Sequence, residues 1–128
     1  MRKLRLALEI LRGYVVVRWS LRRRGVTPTL TSARCPHGGV IAPDGGNSQA
    51  TAEWLAIGVQ KTLGILPLDS RCLIRSLVLT RLLARRGLDC TVVFAARTQP
   101  EFMAHSWVEY RGIPLLPTGD GFHRLKEL

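Results

Sequence analysis

Apolar positions recur along the chain in three rhythms. Between residues 2 and 24 an apolar run is interrupted by Arg5, Arg12 and Arg18, a pattern that suits an amphipathic helix, with Gly25 and Pro28 as stop signals. The β-branched run at Val15, Val16 and Val17 is the weak point of that helical pattern. From 48 to 64, Ala52, Leu55, Ala56, Val59 and Leu63 form one helical stripe, with Ser48 as a cap and Gly64 as a stop. Pro67 separates it from a second stretch, DSRCLIRSLVLTRLLARRG (69–87), capped by Asp69 or Ser70 and closed by Gly87. Its apolar residues Leu73, Ile74, Leu77, Val78, Leu82 and Leu83 cover more than one narrow stripe, as expected of a central, mostly buried helix. The rhythm then changes to period two. CTVVFAAR (90–97), MAHSWVEY (103–110) and IPLL (113–116) read as strands, with Arg111-Gly112 as a hairpin turn and Pro114 marking an edge. Helix, helix, strand, strand, strand gives an α+β unit with a small antiparallel sheet against the central helix.

Between these zones, VTPTLTSARCPHGGVIAPDGGN (26–47) is rich in Pro, Gly, Ser and Thr and reads as a connector. The expected organisation is therefore residues 1–47 as a basic amphipathic helix plus connector, and residues 48–128 as the catalytic-sized unit. A chain of 128 residues with 46% hydrophobic and 22% charged residues suits one globular domain with a modest core. Charge is uneven. Residues 1–24 hold eight cationic side chains against Glu9 alone, so most of the formal +10 sits there. That imbalance points to docking on something acidic: a protein partner, an anionic peptide, a membrane surface or nucleic acid. Only 6% of residues are aromatic and no nucleic-acid fold motif is present, so nucleic acid is not the expected partner; nor is a membrane. The arginines and the missing small-residue cleavage site also argue against a signal peptide or a membrane span.

Three cysteines without a CxxC pair argue against a disulfide framework or a four-ligand zinc site and suit a reducing, cytoplasmic compartment. No cofactor and no metal are expected. Cys35 and His37 form a lone pair in a loop, Cys90 enters an apolar strand, and GGVIAPDGG lacks the Lys-Ser/Thr ending of a phosphate loop. Cys72 differs from these. With Ser70 as cap it stands in the first turn of a helix, where unpaired N–H groups and the positive dipole end favour a thiolate, aided by Arg71 and Arg75. A buried structural cysteine is the alternative. His105 shares a strand face with Met103, Trp107 and Glu109 and is either a base or a half-buried imidazole satisfied by backbone. A cysteine at a helix start followed by a histidine in an antiparallel strand is the arrangement of papain-like and transglutaminase-like hydrolases. A third group should orient the imidazole. If 110 faces 113, then 105 faces 118, which brings Asp120 within reach of a bent strand end. Glu109 is about 13 Å along the strand at ~3.3 Å per residue, and Glu101 lies in the preceding loop.

CLIRSLVLTRLLARRG followed by AHSWVEYRGIPLL resembles the transglutaminase-like leader peptidases of lasso-peptide biosynthesis, in the small stand-alone form whose precursor-recognition domain is a separate protein. The resemblance covers about residues 48–118. It implies a papain-like or transglutaminase-like core, with Cys72 as nucleophile and His105 as general base in a peptidase that removes the leader of a ribosomally made precursor. It also implies two partners besides the precursor: a leader-recognition protein and an asparagine-synthetase-like cyclase. Family members often carry an Asp about twelve residues after the His, where this chain has Pro117, so Asp120 is the tentative third member. The competing readings are an acyl transferase using the same Cys-His pair and a non-catalytic basic docking module.

Overall fold

The structure is a computed structural model that describes residues 2–34, 48–65, 72–99, 101–118 and 121–128. Four helices come first: α1 (Arg2–Arg24), α2 (Val26–Arg34), α3 (Ser48–Ile65) and α4 (Cys72–Arg85). Four strands follow: β1 (Thr91–Arg97), β2 (Met103–Tyr110), β3 (Ile113–Pro114) and β4 (His123–Glu127). They form one antiparallel sheet in the order β3-β2-β1-β4. The architecture is α+β.

α4 is the hub. It contacts α1, α2 and α3 as well as β1 and β2. Ile74, Leu77, Val78, Leu79, Leu82 and Leu83 are buried around most of its circumference, which explains why its apolar residues exceed one stripe. At its end Leu88 N–H donates to Leu83 O (2.9 Å) and Gly87 N–H to Ala84 O (3.0 Å), with Gly87 at φ 72°. These two bonds form a Schellman cap, and the left-handed residue they need is the reason for a glycine there. The five stripe residues of α3 are all buried.

Three features go beyond the sequence reading or depart from it. α1 runs unbroken through Val15, Val16 and Val17, because Leu6, Ile10, Tyr14 and Val17 enter the same core as α3 and α4. Each such side chain contributes about 1.5–3 kcal/mol, more than the few tenths by which β-branched residues disfavour a helix. Residues 26–34, read as connector, form α2: Gly25 at φ 85° turns the chain, and Ser20 and Thr29 pair their buried hydroxyls at 2.8 Å. The remainder of the connector, 35–47, lies outside the described residues. The third is β4, which has no alternating pattern, since all five of its residues are exposed.

Glu9 fastens α1 to α4 through Arg85 (3.1 Å) and Arg86 (3.1 Å). At the α1–α3 crossing, a Cβ on Gly58 would stand 2.7 Å from Leu6 Cδ2, so a side chain there would require the buried Leu6 to shift. The hairpin is as expected: Tyr110 pairs with Ile113, and Arg111 and Gly112 both have positive φ (53° and 78°), the signature of a type I′ turn. Pro114 lies on the sheet edge, where its missing N–H breaks no ladder.

Candidate active site

Cys72 is the first residue of α4, and its side chain is half-buried. The N–H groups of that first turn have no partner within the helix, so they and the dipole face whatever reacts at the thiol. Asp69, Ser70 and Arg71 lie outside the described residues. One turn in, Ser76 Oγ donates to Cys72 O (2.8 Å) and lies 3.5 Å from Ser106 Oγ of β2. Another turn on, Thr80 Oγ1 meets the Cys90 thiol at 3.7 Å, at the level where Thr91 pairs with Glu109. The helix therefore runs parallel to β2. Four helical residues advance about 6 Å and two strand residues about 6.6 Å, so Cys72 stands level with the beginning of β2, where His105 is.

His105 is half-buried, on the strand face it shares with Trp107. Its ring centroid is 5.7 Å from that of Trp107 and 5.1 Å from that of Phe122, and its Nε2 is 2.7 Å from the carbonyl oxygen of Pro117. A carbonyl can only accept, so Nε2 carries the proton and a neutral ring leaves its lone pair on Nδ1. That tautomer is the one a general base needs if Nδ1 faces the acid. Alternation of the strand puts Ser106 on α4 and sends His105 to the opposite face. The structure thus brings helix start and strand start to one level. It does not join the thiol and imidazole by a hydrogen bond among the described residues.

The orienting group is where sequence reasoning went least far. Asp120 lies outside the described residues. The group found on Nε2 is the main chain of Pro117, twelve residues past the histidine. A side-chain reading scores that position as lost, because a proline offers no carboxylate. The register of the hairpin was the available signal: it carries residues 117–118 past His105 whatever their side chains.

Glu109 has a different task. It is buried, accepts from Trp107 Nε1 (3.0 Å) and pairs with Arg124 (2.6 Å), whose guanidinium also lies over the Trp107 ring. The Glu109 hydrogen bond, then Glu127, raise the pKa of Arg124 further. The indole is thereby fixed beside the imidazole. Glu101 is exposed in the loop before β2. His123 is exposed on β4.

Cys90 sits past the far end of α4, beside an open cavity of about 220 Å³ lined in part by Arg34, Thr80 and Asp89. Burial pushes its thiol pKa up, against the Thr80 hydrogen bond and the Arg34 charge. This favours the neutral, packing role read for it. Cys35 and His37 are outside the described residues, and among the described residues no group of three His, Cys, Asp or Glu could hold a metal ion.

A family description, the transglutaminase-like superfamily, matches residues 15–127, which begins within α1 and takes in every other element. The chain belongs to that superfamily. The superfamily includes cysteine peptidases and acyltransferases. No curated protein and no solved structure matches the chain. No helix among the described residues is long and apolar enough to cross a membrane.

Proposed function

We propose that this protein is a cysteine peptidase that removes the leader from a ribosomally made lasso-peptide precursor, working with a separate leader-recognition protein in the cytoplasm. The observation that carries it is the 2.7 Å contact of His105 Nε2 with Pro117 O, which leaves Nδ1 as base at the level of a helix-start cysteine. Nδ1 takes the Cys72 proton, and the thiolate attacks the carbonyl at the leader–core junction. N–H groups of the first turn of α4 stabilise the oxyanion. The His105 imidazolium protonates the departing amine, and water then hydrolyses the leader-side thioester. His105 lies on the face of β2 opposite the one Ser106 turns to α4, so this reading requires the imidazole to reach Cys72 around the start of the strand when substrate is bound.

The recognition protein supplies effective concentration, so the peptidase needs little affinity for the leader itself. The asparagine-synthetase-like cyclase takes the freed core. The test is to incubate the chain with candidate precursors and their recognition protein and follow products by mass spectrometry. Cleavage at one bond, lost in Cys72→Ala, is expected. Leader transfer to an added amine instead of water would favour the acyltransferase reading. Full cleavage by Cys72→Ala would overturn both.

A further inference from the structure

α1 has two apolar faces, and the fold uses one. Leu6, Ile10, Tyr14 and Val17 are in the core, while Leu4 (64%), Leu8 (59%), Val15 (64%) and Trp19 (59%) stay exposed. Spacings of four, seven and four place these exposed residues in one row along the outer side of the helix, about 22 Å long at 1.5 Å per residue. By the same helical geometry Arg5, Arg12 and Arg23 flank the row on one side, and Arg18 and Arg22 on the other. Glu9, the helix's one acid, is turned inward to Arg85 and Arg86. The outer face of α1 therefore carries cations at both margins, an apolar centre and no carboxylate.

We infer that α1 docks the protein on an anionic lipid surface, lying in the headgroup plane with Leu4, Leu8, Val15 and Trp19 inserted and the arginines on phosphates. A protein partner is usually matched by charges of both signs and by a groove; this surface is a convex ridge of one sign. An apolar row between cationic margins fits a plane of negative charge over hydrocarbon. Arginine stems reach along apolar surface while their guanidinium groups stay with phosphate, and an indole suits the boundary between the two media. α4 lies between α1 and the sheet, so docking leaves the His105 face of the sheet open to solution. A membrane surface is the less expected of the docking targets that the sequence leaves open for this segment. The sequence gives the arginines, but only the packing of α1 shows which apolar residues remain uncovered. The inference stands independently of the peptidase reading.

The experiment is co-sedimentation of the full chain with phosphatidylcholine vesicles with and without 30 mol% phosphatidylglycerol, at low and high salt. Binding to the anionic vesicles is expected, weaker by at least about tenfold on neutral vesicles or in high salt. Arg12→Glu with Arg23→Glu should lower it by at least about tenfold. Leu4→Ser with Leu8→Ser and Val15→Ser should do the same. Circular dichroism checks that these surface variants remain folded. Tryptophan emission should shift to the blue on anionic vesicles and do so much less in Trp19→Phe. Three results would overturn the inference: no binding to anionic vesicles, unchanged binding by the folded serine variant, or equally tight, serine-sensitive binding to polyglutamate, which would make the surface a dock for acidic protein.

Discussion

Cys72 and Cys90 are chemically the same side chain, similarly half-buried, at the two ends of α4. Cys72 opens the helix, where N–H groups point outward; Cys90 lies past its close, beside Thr80 and under burial that pushes its thiol pKa up. Exposure does not distinguish them. What does is the direction of the helix and what lies at each end: the Cys72 end is level with the start of β2, which carries His105 on its opposite face, and the Cys90 end meets a hydroxyl and the aliphatic wall of Ala84 and Leu88. The proposed function makes the first of these thiols reactive and leaves the second inert.

The sharpest way to break this comparison is substitution. Cys72→Ser or His105→Ala should lower precursor cleavage by about a thousand-fold or more, whereas Cys90→Ser should stay within about threefold. Iodoacetamide labelling with site assignment by mass spectrometry gives a readout that needs no substrate: Cys72 should label well ahead of Cys90 near pH 7, and His105→Ala should narrow the gap. Equal rates for the two thiols in folded protein would remove the basis of the comparison.

Next in size is the orienting group. With the Pro117 carbonyl holding Nε2, Asp120→Asn and Pro117→Ala should each stay within about threefold of wild-type turnover, since neither removes a main-chain acceptor. A loss on the scale seen when a triad carboxylate is neutralised, about 10⁴ in one protease, would return the role to Asp120. This measurement decides whether the Cys72 end relies on backbone or on charge.

Stability effects are smaller. Glu109→Ala leaves the Trp107 N–H buried without its acceptor and releases Arg124, which should cost about 1–3 kcal/mol in urea unfolding. It should also slow turnover, because Trp107 packs beside His105. The smallest effect belongs to the other end of α4. Because the folded Cys90 pKa is raised, the unfolded chain loses this proton first as pH rises. Its contribution should hold below about pH 8.5 and decline above it, at most about 1.4 kcal/mol per pH unit. Cys90→Ala should remove that slope, as read from unfolding midpoints between pH 7 and 10.

Much of this was written locally. The α3 stripe, the Gly87 cap, the Arg111-Gly112 turn and the placing of Cys72 at a helix start each depend on a few neighbouring residues whose periodicity or allowed φ has one reading. α2 was masked by Thr, Ser and Pro, residues common in loops, because a buried Thr29–Ser20 hydroxyl pair is formed only when a distant helix arrives. β4 was masked because an exposed edge strand needs no alternation and takes its order from β1.

The site divides in the same way. Cys72 and His105 are visible as residue types at a helix start and in a strand, but the acceptor on Nε2 is not, since every residue has a carbonyl and only the hairpin register selects that of Pro117. The two faces of α1 repeat the point. Sequence by itself determined that this helix is basic and apolar; tertiary structure decided which apolar residues it spends on the core and which it keeps outside. Periodicity fixes which side chains share a face, but only a packed neighbour removes one face from water.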